Sequence, residues 1–194
     1  GITSSAELAE AEEKISKKKA AELFENGYLE NLEAGTYKAL AEIHRFLFGE
    51  IYEFAGKLRE VNIAEGNFRF APVTYLREAI GNIEKMPQSS FGEIIEKYVE
   101  MNVAHPFREG NGRSMRIWLD MMLKKETGQV IDWRKVDKDD YLLAMERSPV
   151  RDIEIRYVLR QALTDKTDDR EIYMKGIDYS YYYEGYSIYR TEEL

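Results

Sequence analysis

Apolar residues recur at intervals of three and four along most of the chain, which predicts a protein built mainly of helices. In "GTYKALAEIHRFLFGEIYEF" the stripe is Leu40, Ile43, Leu47 and Ile51, and His44 lies on it. A histidine in that setting is expected to be a satisfied core or interface group rather than a catalytic one. An Ala/Glu/Lys-rich helix opens the chain, with Ser5 as its cap and Gly27 as its stop. Helices are also predicted through "TYLREAIGNIEKM", "FGEIIEKYVEMNVA", "GRSMRIWLDMMLKKETG", "DKDDYLLAMER" and "VRDIEIRYVLRQAL". The third of these carries Lys124 and Lys125 in its last turn and ends at Gly128, a favourable arrangement for a helix C-terminus.

The period changes in one place. Within "GKLREVNIAEGNFRFAPV", Val61 and Ile63 alternate with Glu60 and Asn62, and "AEGN" leads into Phe68-Arg69-Phe70. This predicts a β-hairpin over about 57–71 with Gly66 in the turn. An isolated hairpin is marginal in water. It is either a decoration packed on the helical body or an open strand edge that accepts another protein's backbone. Farther on, "TDKTDDRE" is read as a polar hinge and "IDYSYYYEGYSIYR" as a tyrosine-rich last helix. The expected architecture is an all-α bundle with one hairpin, a body over 1–165 and a final helix over 171–190.

Composition narrows the chemistry. The 194 residues, 44% hydrophobic and 33% charged, suit one folded domain. A net charge of −8 argues against general nucleic-acid or anionic-membrane binding. With no cysteine there is no disulfide, thiolate metal site or cysteine nucleophile. No apolar run approaches membrane-spanning length. These features together predict a soluble, cytoplasmic protein.

Candidate chemistry is concentrated in "HPFREGNGRSMR", residues 105–116. The glycines around Asn111 let the backbone approach a ligand, and a helix starting near Gly112 offers N–H groups and a partial positive charge. That is an anion nest suited to phosphate. Arg113 and Arg116, three apart, add two cations to the same end of the helix. His105 is placed to act as a general base near a bound phosphate, and Glu109 is the one carboxylate available to a metal. Taken singly each residue has a plainer explanation; Arg116, for example, could pair with Asp120 on the helix surface for about 0.3–0.5 kcal/mol. Their joint occurrence in so short a window favours a polyphosphate site.

This stretch resembles the Fic motif, H-P-F-x-[D/E]-G-N-G-R-x-x-R, at every defined position, and "EVNIAEGNFRFAPV" resembles the Fic flap. The resemblance implies a Fic-type helical bundle that moves AMP from ATP to a Ser, Thr or Tyr hydroxyl of a target protein. It implies that His105 is the base and that Glu109 holds Mg²⁺, with Mn²⁺ as the alternative ion. Asn111 and the Gly110 and Gly112 amides would hold the α-phosphate, Arg113 the β-phosphate and Arg116 the γ-phosphate. Phe107 would pack beneath and keep His105 in place. Ile63, Gly66, Phe68 and Phe70 of the flap would dock the target as an added strand. Glycine rather than lysine at position 112 implies AMP transfer rather than phosphate transfer.

Near the C-terminus "SYYYEG", residues 180–185, resembles the inhibitory [S/T]-x-x-x-E-[G/N] motif of Fic proteins. Ser180 and Glu184 fall at i and i+4, on one helix face. The resemblance implies that Glu184 pairs with Arg116 and keeps ATP in an unproductive pose. It also implies release through movement of the helix, homo-oligomers that shield it, and self-modification of a helix tyrosine, with Tyr181 at the matching position. Tyr179, Tyr182, Tyr186 and Tyr189 are expected to form a packing stripe. Competing readings use the same residues: removal of AMP from a modified target through Glu184, or a nucleotide sensor without turnover.

Overall fold

The computed structural model describes residues 4–66 and 68–183, with the side chains of Tyr182 and Tyr183 outside the description. Eight α-helices and two short hairpin-like pairings form the described chain. Helix α1 (Ser5–Glu25) is capped by Ser4 rather than Ser5, the Ser4 hydroxyl accepting from Glu7 N at 3.1 Å. Ser4 sits just before the first helical turn, where its oxygen reaches an amide that has no intrahelical acceptor. Helix α2 (Tyr37–Phe48) is capped by Thr36 and buries Leu40, Ile43, His44 and Leu47 as its apolar period requires.

Helices α3 (Leu76–Glu84) and α4 (Phe91–Ala104) follow, then α5 (Asn111–Thr127) through the centre of the molecule. Most of α5 from Arg113 to Leu123 is buried, because α2, α4 and α8 pack around it. Trp118, fully buried, donates its indole N–H to Thr36 O at 2.9 Å and so joins α5 to the start of α2. Helices α6 (Lys138–Arg147) and α7 (Ile153–Arg160) close one side, and α8 (Arg170–Tyr183) lies against α1 and α5.

The hairpin is smaller than its alternation suggests. Strands β1 (Ala64–Glu65) and β2 (Phe68–Arg69) pair antiparallel, with Ala64 opposite Arg69 and Glu65 opposite Phe68. Gly66 occupies the turn at φ +59°, as expected of that position. Val61 and Ile63 lie outside the strands: Val61 O accepts from the Arg59 side chain, Asn62 Oδ1 from Val73 N, and Ile63 O from Phe70 N at 3.3 Å. A second pair, β3 (Val130–Ile131) with β4 (Leu163–Thr164), has no signature in the alternation and arises from tertiary docking.

The segment read as a hinge is tied down from Asp168 onward. Lys124 pairs with Asp168 at 2.8 Å, Arg170 with Glu25 at 2.8 Å, and the Tyr173 hydroxyl donates to Ala20 O at 2.8 Å. The buried face of α8 is Ile172, Gly176, Ile177, Ser180 and Tyr181. Of the tyrosine stripe expected on this helix, Tyr179 is half-buried and packs against the core, while the Tyr182 side chain, Tyr186 and Tyr189 lie outside the described residues. Gly176 is where α8 comes closest to its neighbour, since a Cβ there would stand 2.9 Å from the Trp133 ring. No helix among the described residues is long and apolar enough to cross a membrane.

Candidate active site

Helix α4 ends at His105, which adopts a left-handed conformation, φ 51° and ψ 69°. It is the one non-glycine residue with positive φ among those described. Such backbone is held only where its surroundings over-determine it. Here the amide of His105 donates to Met101 O at 2.9 Å, and its carbonyl accepts from Arg59 Nε at 2.7 Å. The ring stacks on Phe70 of the flap, centroids 3.6 Å apart and planes within 9°. Its Nδ1 stands 3.3 Å from Asn102 O, which favours the proton on Nδ1 and leaves Nε2 as the basic nitrogen.

Arg59 was not singled out by the sequence, yet it organises this region. It is buried, and its guanidinium donates to the carbonyls of Val61, Ala71, Ala104 and His105. The flap's two ends and the end of α4 are thus held on one cation. Burial pushes its pKa below the usual arginine value. The amide of Arg59 also donates to Pro106 O at 2.9 Å, and Ala71 N donates to Val103 O at 3.0 Å. Only the four-carbonyl arrangement distinguishes Arg59, and no local sequence pattern encodes it.

The motif loop then turns into α5. Asn111 clasps it: Oδ1 accepts from Phe107 N at 2.8 Å and Nδ2 donates to Phe107 O at 2.6 Å. Its side chain thus shapes the loop, and α5 begins at Asn111, a residue earlier than expected. Gly110 is the N-cap at φ +78°, and a Cβ there would come within 2.6 Å of Phe48. Both the backbone conformation and the ring beside it demand glycine. The first helical bond of α5 runs from Ser114 N to Gly110 O, so the preceding amides point out of the helix end.

Phe107 is fully buried, but it does not stack on His105. It stacks on His44, centroids 3.9 Å apart and planes at 21°. His44 accepts from Gly56 N through Nδ1 at 2.9 Å, which places its proton on Nε2, 2.7 Å from Glu109 O. The second histidine is a core group, as its stripe implied, and it also anchors the backbone of the motif loop. A helix period could not report that contact, because its partner lies 65 residues away.

A pocket of about 270 Å³ is lined by His105, Glu109, Gly110, Asn111 and Arg113 from the motif and by Ile63 and Phe70 from the flap. Arg108, Glu12 and Tyr52, with Ala64 and Glu65 of the flap, complete its wall. Glu12, from α1, accepts from the Tyr52 hydroxyl at 2.9 Å. Burial raises its pKa; the Tyr52 bond opposes this, Glu109 adds to it and Arg113 lowers it. Glu12 is a carboxylate at the pocket that no motif announced, and Glu65 of the flap is another. Among the described residues there is no cluster of three or more His, Cys, Asp or Glu side chains of metal-binding form. The donor set of Glu109 with Glu12 opposite suits an ion that takes one or two carboxylates plus phosphate oxygens.

The two arginines of α5 diverge around α8. Arg113 lies between Phe48 and Tyr181, its guanidinium carbon 4.7 and 4.9 Å from the ring centroids. Arg116 Nε donates to Ser180 Oγ at 2.7 Å, Nη2 reaches Ser180 O at 3.3 Å, and Nη1 reaches the Tyr141 hydroxyl at 3.4 Å. Arg116 does not pair with Asp120, whose carboxylate instead accepts from Ile131 N at 2.8 Å. Tyr181 is buried at 4% exposure, and burial raises its pKa. Glu184, four positions after Ser180 in the sequence, lies outside the described residues.

The Fic/DOC family matches residues 34–123. The protein adenylyltransferase VbhT of Bartonella schoenbuchensis is 33% identical over 147 residues, covering 69% of this chain and 30% of VbhT. The probable protein adenylyltransferase y4lH of Sinorhizobium fredii is 30% identical over 154 residues, covering 73% of this chain and 77% of its own length. This chain belongs to the Fic/DOC family. It spans under a third of VbhT. The BepC protein of Bartonella tribocorum, solved with bound AMPPNP, is 17% identical with a TM-score of 0.66, covering 84% of this chain and 90% of that one. At that identity the likeness shows the Fic fold.

Proposed function

We propose that the protein is a protein adenylyltransferase held in check by its last helix. The observation that carries the reading is the motif pocket, where His105, the α5 N-terminus, Glu109 and Arg113 converge beneath the flap. Relatives of moderate identity named as protein adenylyltransferases support it.

In this reading ATP lies with its α-phosphate at the amides around Gly110 and Gly112. His105 Nε2 takes the proton from a target Ser, Thr or Tyr hydroxyl. The hydroxyl oxygen bonds to the α-phosphorus as the bond to the β-phosphate bridging oxygen breaks, and pyrophosphate leaves. Glu109 would hold Mg²⁺, which when bound neutralises charge between the α- and β-phosphates. Arg113 supports the leaving phosphates. The flap receives the target, with the outer edge of β1 accepting an added strand.

The restraint rests on the contact of Arg116 with Ser180. Glu184, four positions later in the sequence, is assigned in this reading to Arg116 as a competitor of the γ-phosphate. Tyr181 is buried, so its self-modification requires α8 to leave its seat.

Intact-mass spectrometry after incubation with ATP and Mg²⁺ tests both parts. The parent, Glu184→Gly, and Glu184→Gly with His105→Ala are compared. AMP adducts should be weak on the parent, strong on the single variant and absent from the double one. Phosphate adducts would overturn the orientation of the nucleotide. Adducts equal on the parent and on Glu184→Gly would remove the inhibitory role.

A further inference from the structure

A second cavity is larger than the motif pocket. About 430 Å³ in volume, it lies between α5 and α8, closed at one end by the start of β3. Its walls are mainly apolar, with Phe24, Ile117, Met121, Val130, Ile172 and Ile177 prominent. At its inner end stand Arg116 and Ser180, the pair that seats α8. A single benzene fits an engineered apolar cavity of about 150 Å³, so this space takes a larger molecule. Its size is within the usual range for small-molecule sites.

One polar group is placed inside the apolar part. Asp120 lines the cavity and accepts from Ile131 N at 2.8 Å and from the Trp133 indole. A carboxylate has about four lone-pair directions, so two acceptor positions remain for a ligand. Burial raises the Asp120 pKa to about 7. Lys124, a turn away on the same helix, is paired with Asp168 instead. Lysines and acids both occur at the rim, Lys125 and Lys166 beside Glu30 and Asp169, so the rim favours neither sign strongly.

We propose that this cavity is a regulatory site for a small uncharged aromatic molecule with an N–H donor, its rings against the apolar walls and its N–H on Asp120. Because the ligand touches both α5 and the underside of α8, it binds the seated helix and not the released one. Binding therefore holds α8 in place by mass action. The regulatory consequence rests on the reading of α8 as an inhibitory helix; the binding site does not.

The test uses the full chain with tryptophol as probe and its N1-methyl derivative as the form lacking the donor. Ligand-observed NMR titration should give a Kd of roughly 1 mM for tryptophol, as expected for a molecule of this size. The methylated probe should bind about fivefold or more weakly, as loss of one hydrogen bond implies. Met121→Trp, which fills the cavity, should abolish binding of both, with its melting curve showing that the variant is folded. Asp120→Asn should narrow the difference between the two probes. Hydrogen exchange should show tryptophol slowing the α8 amides.

Saturation that is absent up to about 10 mM, or unchanged in Met121→Trp, overturns the site. Equal affinities of the two probes for the parent overturn the role of Asp120. Binding with α8 protection, but AMP transfer that is not slowed relative to Glu184→Gly, places the failure in the inhibitory reading of α8 and leaves the site standing.

Discussion

Arg116 and Ser180, 64 residues apart, meet at 2.7 Å with both side chains buried. The arginine that closes the phosphate motif is thereby joined to the helix that ends the described chain. A charge-assisted bond of this kind contributes more than a neutral one. Ser180→Ala should release α8 more often and raise the rate of AMP incorporation about tenfold, the change expected for losing one bond to a buried guanidinium. Time-resolved intact-mass spectra of the parent and the variant measure it, and an unchanged rate removes Ser180 from the restraint.

Phe70 covers one face of the His105 ring. Phe70→Ala should let the imidazole swing from its attack position, lowering kcat about tenfold while ATP affinity stays near the parent value. Steady-state kinetics on an activated Glu184→Gly background separate the two. A loss confined to ATP binding would show that Phe70 contacts nucleotide instead.

The buried Arg59 serves four carbonyls at once. Arg59→Met keeps much of the side-chain volume but strands those acceptors. Urea unfolding should show a loss of more than about 3 kcal/mol. A change under about 1 kcal/mol would mean that water replaces the guanidinium.

His44 offers a finer comparison, because its two nitrogens serve different partners. Glutamine can reproduce the donor to Glu109 O, and asparagine the acceptor from Gly56 N. His44→Gln should retain several-fold more AMP transfer than His44→Asn at similar stability, since only Gln keeps the motif loop anchored. Parallel melting curves and transfer rates decide it, and equal rates would reduce His44 to packing.

Asp120 gives a pH dependence with a definite sign. Its folded pKa is near 7 against an ordinary 3.8, so the folded state keeps a proton that the unfolded chain has released. Its contribution to stability is thus highest in acid, falls as pH rises between those values, and levels off above about 7. At roughly 1.36 kcal/mol per pKa unit the change amounts to a few kcal/mol at most. Asp120→Asn should flatten the fall in melting temperature between about pH 4 and 7, and an unaltered profile would mean that the carboxyl is better solvated than its surroundings imply.

What was legible beforehand divides along a physical line. The helical periods of α2, α4 and α5, the Gly66 turn and the stop at Gly128 are local, set by side-chain spacing and by backbone that only glycine enters easily. The motif from His105 to Arg116 was legible for the same reason: its chemistry is contiguous in the chain. Arg59, Glu12 and the anchoring role of His44 were not, since each acts on residues far away in sequence. Phe107 was expected to pack beneath the motif and keep His105 in place; its stacking on His44, and that of His105 on Phe70, join residues far apart in sequence and had no local signal.

The sequence by itself determined an all-α body, one hairpin, and the contiguous motif from His105 to Arg116, all of them products of short-range spacing. Only the tertiary structure decided which face of α8 is buried, that Arg113 and Arg116 part on either side of Ser180 and Tyr181, and that a cavity remains beneath them. Those outcomes depend on how distant helices fit together, where close approach at Gly176 and the burial of two cations set the geometry, and no local pattern carries that information.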